Sequence, residues 1–374
     1  MFKKNILILL FLFLISLVPF EFAIAIDGAQ VAIYSGEGAW SHGVIAFENF
    51  LDWKDITHEA IDADDINLHD LREYYDAIYF PGGYAYDFKI SINGVGRRHI
   101  RDLVNDGGAY IGICAGAYYA SDQVDWEGVV YNYPLNLFQG TAVGAIDSIE
   151  PWSGYDMTTV WMNQDNPINQ YEPPVEIMLY YGGPAFYPHE GVSVDTVATW
   201  VEYDSHSAII NFTYGEGRVL LIGPHPEIEE DSDRDDTSFA DELNDGGSDW
   251  NFLWPALDWV LGWEISNPSP ISITPEQIIT TSKTCSLLQN YPNPFNPITT
   301  IIFEIPKTSE VYMEIYDVSG KFVRNLVDKP MEIGYHSVVW DGVDEQGKDV
   351  SSGIYFYKIE AGKFENTKKM VLLR

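Results

Sequence analysis

The sequence predicts an α/β domain built on a doubly wound parallel sheet, followed by a small all-β sandwich. Three observations carry this expectation. Between Gln30 and Ser121, short apolar, β-rich runs alternate with runs that carry apolar residues at helical spacing. Strand–helix repetition at such intervals builds a parallel sheet covered on both faces. After residue 285 only short alternating strand-like runs remain, separated by Gly- and Asp-bearing turns. The charge changes at the same place: residues 26–285 hold 9 Lys and Arg against 43 Asp and Glu, whereas residues 286–374 hold 10 against 12. So abrupt a change marks two folding units.

The elements follow in chain order. Lys3 and Lys4, the apolar run Ile6–Phe20 and the small residues of Ala23-Ile24-Ala25 read as a secretory signal over 1–25. Gln30–Ser35 is a first parallel strand, and His42–Trp53 an amphipathic helix. Asp76–Phe80 is the next strand, ended by Pro81-Gly82-Gly83. A helix follows over Gly96–Asn105, stopped by Gly107-Gly108; then come a strand at Ala109–Ile113 and a small-residue helix over Ala115–Ser121. From Trp126 to Pro188 the text turns aromatic and rich in Gly and Pro, without a clear period. A β-rich run at Thr196–Glu202, a hairpin from Ser207–Thr213 and Gly217–Gly223, and a closing helix at Trp250–Trp263 complete the unit, 26–265. Residues 266–285 have linker composition. In the last unit, 286–374, strands are expected at Thr299–Ile305, Val311–Val318, Lys321–Val327, Tyr335–Trp340, Ile354–Glu360 and Lys369–Leu373.

Composition narrows the function. Hydrophobic content of 46% and aromatic content of 14% supply real cores. The acidic first unit repels phosphate backbones and anionic membranes, so nucleic acid is not an expected partner. Beyond the leader no segment is long and apolar enough for a stable transmembrane span. The two cysteines, Cys114 and Cys285, are too few for a disulfide framework and are read as thiols. No zinc-type cluster and no phosphate-cradling loop is evident, and no cofactor is implied.

The chemistry concentrates at Cys114. Gly112-Ile113-Cys114-Ala115-Gly116 follows a strand and opens a helix. A nucleophile at such a turn stands proud of the sheet, and the helix N-terminus favours a thiolate and a developing oxyanion. A buried structural cysteine is the alternative reading of the pentapeptide alone. Downstream, the strand Val219–Gly223 delivers Pro224-His225-Pro226-Glu227. Residues two apart in an extended segment point the same way, so His225 and Glu227 supply a base and its orienting carboxylate.

These residues resemble the class I glutamine amidotransferase fold, which is flavodoxin-like, and within it the N-terminal domain of biotin–protein ligases. Pro81-Gly82-Gly83, Gly94-Val95-Gly96, Ile100-Arg101, the run Gly107 to Ser121, and Tyr180 to Phe186 carry the likeness over most of Val31–Trp263. By carry-over Cys114 is the nucleophile, His225 the base and Glu227 its orienter, with backbone N–H groups of Gly83 and Ala115 binding the oxyanion. Neither a biotin-ligase catalytic domain nor a synthetase domain follows, so biotin transfer and glutamine-dependent ammonia transfer are not implied. The expectation is a cysteine hydrolase acting on an unidentified small-molecule or peptide amide or ester, with a non-catalytic binding domain as the alternative.

The last unit carries a second resemblance. Asn290-Tyr291-Pro292-Asn293-Pro294-Phe295-Asn296-Pro297, Ile315 to Gly320, Ser352 to Tyr357 and Lys368 to Arg374 are similar, in order and spacing, to the type A sorting domain of type IX secretion, with a FlgD-like immunoglobulin fold. That resemblance implies the type IX machinery as partner and a secreted or cell-surface destination. Among the other features, Glu227–Asp249 holds 11 acidic residues and one Arg. It matches no calcium-ligand pattern and is read as a solvated acidic loop. Glu37 could mimic the glutamate that holds the cysteine in PfpI-type relatives, but its Gly36-Glu37-Gly38 setting reads as a surface loop. Trp40 and His42 are placed at the pocket mouth, and Tyr118, Tyr119, Tyr180, Tyr181 and Phe186 in core or pocket wall.

Overall fold

Why the first unit forms a two-faced sheet can be read from its buried side chains. In a computed structural model, residues 30–229, 233–243, 248–267, 285–288, 290, 293–331 and 334–374 are described. The expected signal (1–25) and nearly all of the expected linker (266–285) lie outside them. Strands β1 (Gln30–Tyr34), β2 (Thr57–Ile61), β3 (Ala77–Phe80) and β4 (Ala109–Ile113) interleave with helices α1 (Ser41–Trp53), α2 (Ala63–Leu68), α3 (Ala85–Ser91) and α4 (Gly94–Asn105). Helix α5 (Ala115–Ala120) leaves β4 directly. Val31, Ile33, Ala77, Tyr79, Ile111 and Ile113 face one side, packing on Phe47, Phe50 and Leu51 of α1. Ala32, Tyr34, Ile78, Phe80 and Tyr110 face the other, against Ile66, Phe88, Ile100 and Leu103 of α2, α3 and α4. Successive strand residues point to opposite faces, so two covered faces demand continuous apolar runs.

The remaining strands extend this sheet, mostly antiparallel. They are β5 (Ser121–Trp126), β6 (Val129–Asn132), β7 (Phe138–Gly144), β8 (Asp156–Met162), β9 (Val175–Tyr180), β10 (Ala185–Pro188), β11 (Asp195–Trp200), β12 (Ser207–Tyr214) and β13 (Gly217–Ile222), with β13 parallel to β4 and β5 parallel to β7. The sheet path is β2-β1-β3-β4-β13-β12-β10-β7-β5-β6, with β11, β8 and β9 branching from β12. Its first five strands pair in parallel, Leu220 with Ile111 and Ile222 with Ile113. This is the doubly wound 2-1-3-4-5 order, which gathers strand carboxyl ends on one edge where ligands bind. Helix α6 (Trp250–Val260) closes the α1 face, held by a buried ion pair from Lys54 Nζ to Asp258 Oδ1 at 2.8 Å.

The named strands of the last unit pair antiparallel. Strands β14 (Ser286–Leu287), β15 (Thr299–Ile305) and β18 (Gly334–Trp340) form one sheet; β16 (Ser309–Asp317), β17 (Phe322–Met331), β19 (Gly353–Ala361) and β20 (Phe364–Leu372) form the other. Alternate residues fill the core: Ile301, Phe303 and Ile305 on β15, Val311, Met313 and Ile315 on β16, Tyr357 and Ile359 on β19, with Trp340 among them. A period of two with one buried face is the pattern of a sandwich. Among the described residues no helix is long and apolar enough to cross a membrane.

Candidate active site

Cys114 occupies the junction of β4 and α5 with φ 47° and ψ −102°. A non-glycine residue there carries on the order of 1–3 kcal/mol of strain and persists only where its surroundings fix it. Here they do. Cys114 N–H donates to Ile222 O at 2.9 Å and Gly116 N–H to Pro81 O at 3.0 Å. Tyr110 Oη–H donates to Gly116 O at 2.7 Å. A Cβ at Gly116 would stand 2.1 Å from Phe80 O, so only glycine lets α5 start against the end of β3. The sulfur is nearly buried, with Tyr181 O at 3.5 Å as an acceptor for the thiol.

The His225–Glu227 segment leaves β13 on the same edge. His225 N–H donates to Leu179 O at 2.8 Å, and Trp250 Nε1–H to Glu227 O at 3.0 Å, so both ends are pinned. His225 Nδ1 lies 2.8 Å from Glu227 Oε1, with the two side chains at most 1% exposed. An ionised Glu227 makes Nδ1 the donor, which leaves Nε2 for Cys114. Burial alone would lower the proton affinity of the ring, but the charge of Glu227 first, and the Cys114 sulfur beside it, outweigh it, and His225 is pushed up to about 10. Trp40 stands edge-on to the imidazole, ring centroids 5.1 Å apart. Glu227 lies against the first turn of α1: a Cβ on Gly43 would come within 3.1 Å of its Oε1. The positive end of that helix dipole faces the carboxylate.

Gly83 also sits where only glycine fits, at φ +128°, with a Cβ position 2.1 Å from Gly38 O. Trp40 N–H donates to Gly82 O and Tyr84 N–H to Gly38 O. Among the described residues the N–H groups of Gly83 and of Ala115, the first residue of α5, meet no acceptor. The five residues singled out from sequence are therefore on one edge of the sheet.

Next to Cys114 opens a cavity of about 410 Å³, walled by Tyr118, Trp126, Tyr131, Tyr133 and Trp152. Of these only Tyr118 was expected in a pocket wall. The rest come from the aromatic stretch 126–188, where the composition was visible but its position was not. Tyr119 and Phe186 are core residues. Tyr180 is also core, its hydroxyl accepting from Ile146 N–H at 2.6 Å, and Tyr181 stacks on Trp152 at 5.4 Å. His42 is half-buried against Phe239, and Glu37 is exposed, as a surface loop should be.

The acidic segment departs from the expectation of a solvated loop. Of its described residues, Glu227, Glu229, Asp235 and Asp249 are buried. Glu229 accepts from Arg234, from Ser248 Oγ at 2.9 Å and from Trp250 N–H at 3.2 Å. Burial raises its pKa, and Arg234 opposes that. The Arg234 guanidinium in turn lies over the rings of Trp250 and Trp53, 4.2 and 5.0 Å from their centroids. The single arginine of the run thus ties the segment to α6 and α1. Among the described residues no group of three or more His, Cys, Asp or Glu could hold a metal ion.

Comparison with known proteins gives the first unit a family. The family model of the biotin-protein ligase N-terminal domain matches residues 29–246. The chain belongs to that family. The FlgD Ig-like domain model matches residues 299–364, within the sandwich. The biotin–protein ligase of Schizosaccharomyces pombe is 30% identical over 213 residues, covering 53% of this chain and 33% of the ligase. An uncharacterised protein of Chlamydia muridarum is 30% identical over 166 residues, covering 42% of this chain and 62% of its own. The chain thus spans a third and about three-fifths of these curated relatives. A glutamine amidotransferase of known structure is similar at 16% identity and a TM-score of 0.39, over 53% of this chain and 90% of its own.

Proposed function

We propose that the first domain is a thiol hydrolase that cleaves an amide or related acyl bond through a covalent Cys114 adduct. The observation that carries this reading is the buried His225–Glu227 pair behind a cysteine held at positive φ, with a cavity opening beside the sulfur. The Cys114 thiolate attacks the carbonyl carbon, forming C–S while the carbonyl oxygen becomes an oxyanion. The N–H groups of Gly83 and Ala115 stabilise that charge. Collapse breaks the C–N bond, and the imidazolium gives its Nε2 proton to the departing amine. With its proton given to the amine and the thiolate charge gone, the ring stays neutral, so Nε2 can accept the proton of a water that attacks the thioester carbon; the C–S bond then breaks, releasing the acid and restoring the Cys114 thiolate.

Labelling with a thiol-directed probe near pH 7 tests this reading. Cys114 is expected to react faster than a free cysteine, and His225→Ala to abolish the advantage. A Cys114 that labels no faster, with no effect of His225→Ala, sinks the hydrolase and leaves a binding domain on the same fold.

We also infer export. Support comes from Lys3, Lys4 and the apolar run Ile6–Phe20 before Ala23-Ile24-Ala25, and from a sandwich whose motifs resemble a type A sorting domain. The reading makes the type IX machinery the partner of residues 286–374 and the cell surface or medium the destination. Truncation after residue 285 should hold the protein in the periplasm of a type IX-competent host. Equal surface appearance of both forms would exclude the sorting role.

A further inference from the structure

We infer that the acyl part of the substrate is an uncharged, aromatic or apolar group, and that free glutamine and other zwitterionic amino-acid amides are rejected. This deepens, and rests on, the hydrolase reading. Among the described residues no charged side chain lines the cavity beside Cys114. Its wall is instead a set of ring faces. Tyr118 and Trp126 meet edge to face at 5.7 Å, and Trp126 and Trp152 at 5.3 Å. Tyr131, across the strand pair from Val124, is 45% exposed, and Trp152 is 38% exposed.

A ligand α-carboxylate placed here would leave water without a cation to meet it, which is costly. Lys89, a nearby cation, is already engaged: its Nζ donates to Asn132 O at 2.8 Å and lies 4.8 Å from the Tyr133 ring centroid. The excess of acidic side chains in the first domain adds a repulsive field for any anion. A flat apolar group gains on every count. It covers exposed rings, stacks or meets them edge to face, and loses no strong hydration. The cavity, at about 410 Å³, falls in the usual range for small-molecule sites. The tyrosine hydroxyls leave room for uncharged polar substituents.

The test uses the full chain and three primary amides, phenylacetamide, butyramide and glutamine, with ammonia release as the readout. We expect kcat/KM for phenylacetamide to exceed that for glutamine by on the order of 100-fold. Tyr131→Ala should narrow the phenylacetamide-to-butyramide ratio by about three- to tenfold, the worth of one aromatic contact. Tyr131 is exposed enough that its loss should leave the fold intact, and Trp152→Ala is the second variant. Glutamine turned over as well as phenylacetamide, or a ratio unmoved in both variants, would overturn the inference. If no amide is cleaved, tryptophan fluorescence of the Cys114→Ala protein decides. Saturable quenching by phenylacetamide but not by glutamine upholds the pocket chemistry while the hydrolase fails. Equal or absent quenching rejects the pocket chemistry as well.

Discussion

Glu227→Gln isolates the charge of the buried dyad, because glutamine keeps the shape and still offers Oε1 to His225 Nδ1–H. In the native site burial works against the imidazolium, and the Glu227 carboxylate is the larger of the two charges that overcome it, pushing His225 up to about 10. Two unit charges about 4 Å apart at an effective dielectric of about 20 interact by roughly 4 kcal/mol. At 1.36 kcal/mol per unit, that equals about three pH units. The sign follows directly. A neighbouring anion favours the protonated ring, so its removal lowers the pKa, and burial pulls in the same direction. The Glu227→Gln ring should therefore lose its proton as pH rises through about 7 rather than through about 10. A ¹³Cε1-histidine NMR titration reads this, the His225 signal being the one absent from a His225→Asn spectrum. With less imidazolium at pH 7 to hold the thiolate, alkylation of Cys114 by iodoacetamide should slow in step. A midpoint displaced by less than one pH unit would refute the electrostatic account of the dyad.

Three further outcomes follow from the packing. Gly116→Ala places a methyl 2.1 Å from Phe80 O, so the elbow must shift; urea unfolding should show a loss of about 1–3 kcal/mol, with altered Cys114 labelling. Arg234→Met leaves the Glu229 carboxylate buried without its cation and should cost about 3 kcal/mol by the same measurement. Asp258→Asn strands the Lys54 ammonium, only 4% exposed, at a cost of about 3–5 kcal/mol. Burial already lowers the Lys54 pKa, with Asp258 opposing it. Without that opposition the folded chain binds fewer protons than the unfolded one over a wider range. The deficit in the variant should then shrink as pH rises toward about 10, as paired urea curves at pH 7 and pH 9.5 would show.

The parts of this molecule that were legible in sequence are those whose cause is local. The runs Val31–Tyr34, Ala77–Phe80 and Ala109–Ile113 are apolar at every position because both faces of the central strands are covered, and a continuous run declares itself without knowledge of any partner. Strand β2 escaped notice because it lies at the edge; Thr57–Glu59 and Ala60 are largely exposed, and only Ile61 is buried. The extension from β5 to β10 was hidden for another reason. β5 pairs in parallel with β7 and antiparallel with β6, which lies between them in sequence, and nothing in either segment alone specifies that register. The same division runs through the site. Cys114 was visible because an elbow needs small residues beside it, and His225 and Glu227 by their spacing behind a strand. The segment is not extended as expected but turns, Ile228 N–H donating to His225 O at 3.3 Å, and that turn brings Glu227 Oε1 to His225 Nδ1. Trp126 and Tyr131 reach the cavity only through the nonlocal register of β5 and β6, and Trp152 from the loop between β7 and β8, so their number could be counted but not their meeting place. Glu229 shows the complementary failure. Eleven acids in a short run suggest solvation on average, whereas one Arg234 seated on Trp250 and Trp53 suffices to draw Glu229 inward. Average charge governs the field of a segment; individual pairs, set by what the rest of the fold brings near, govern which of its charges are buried.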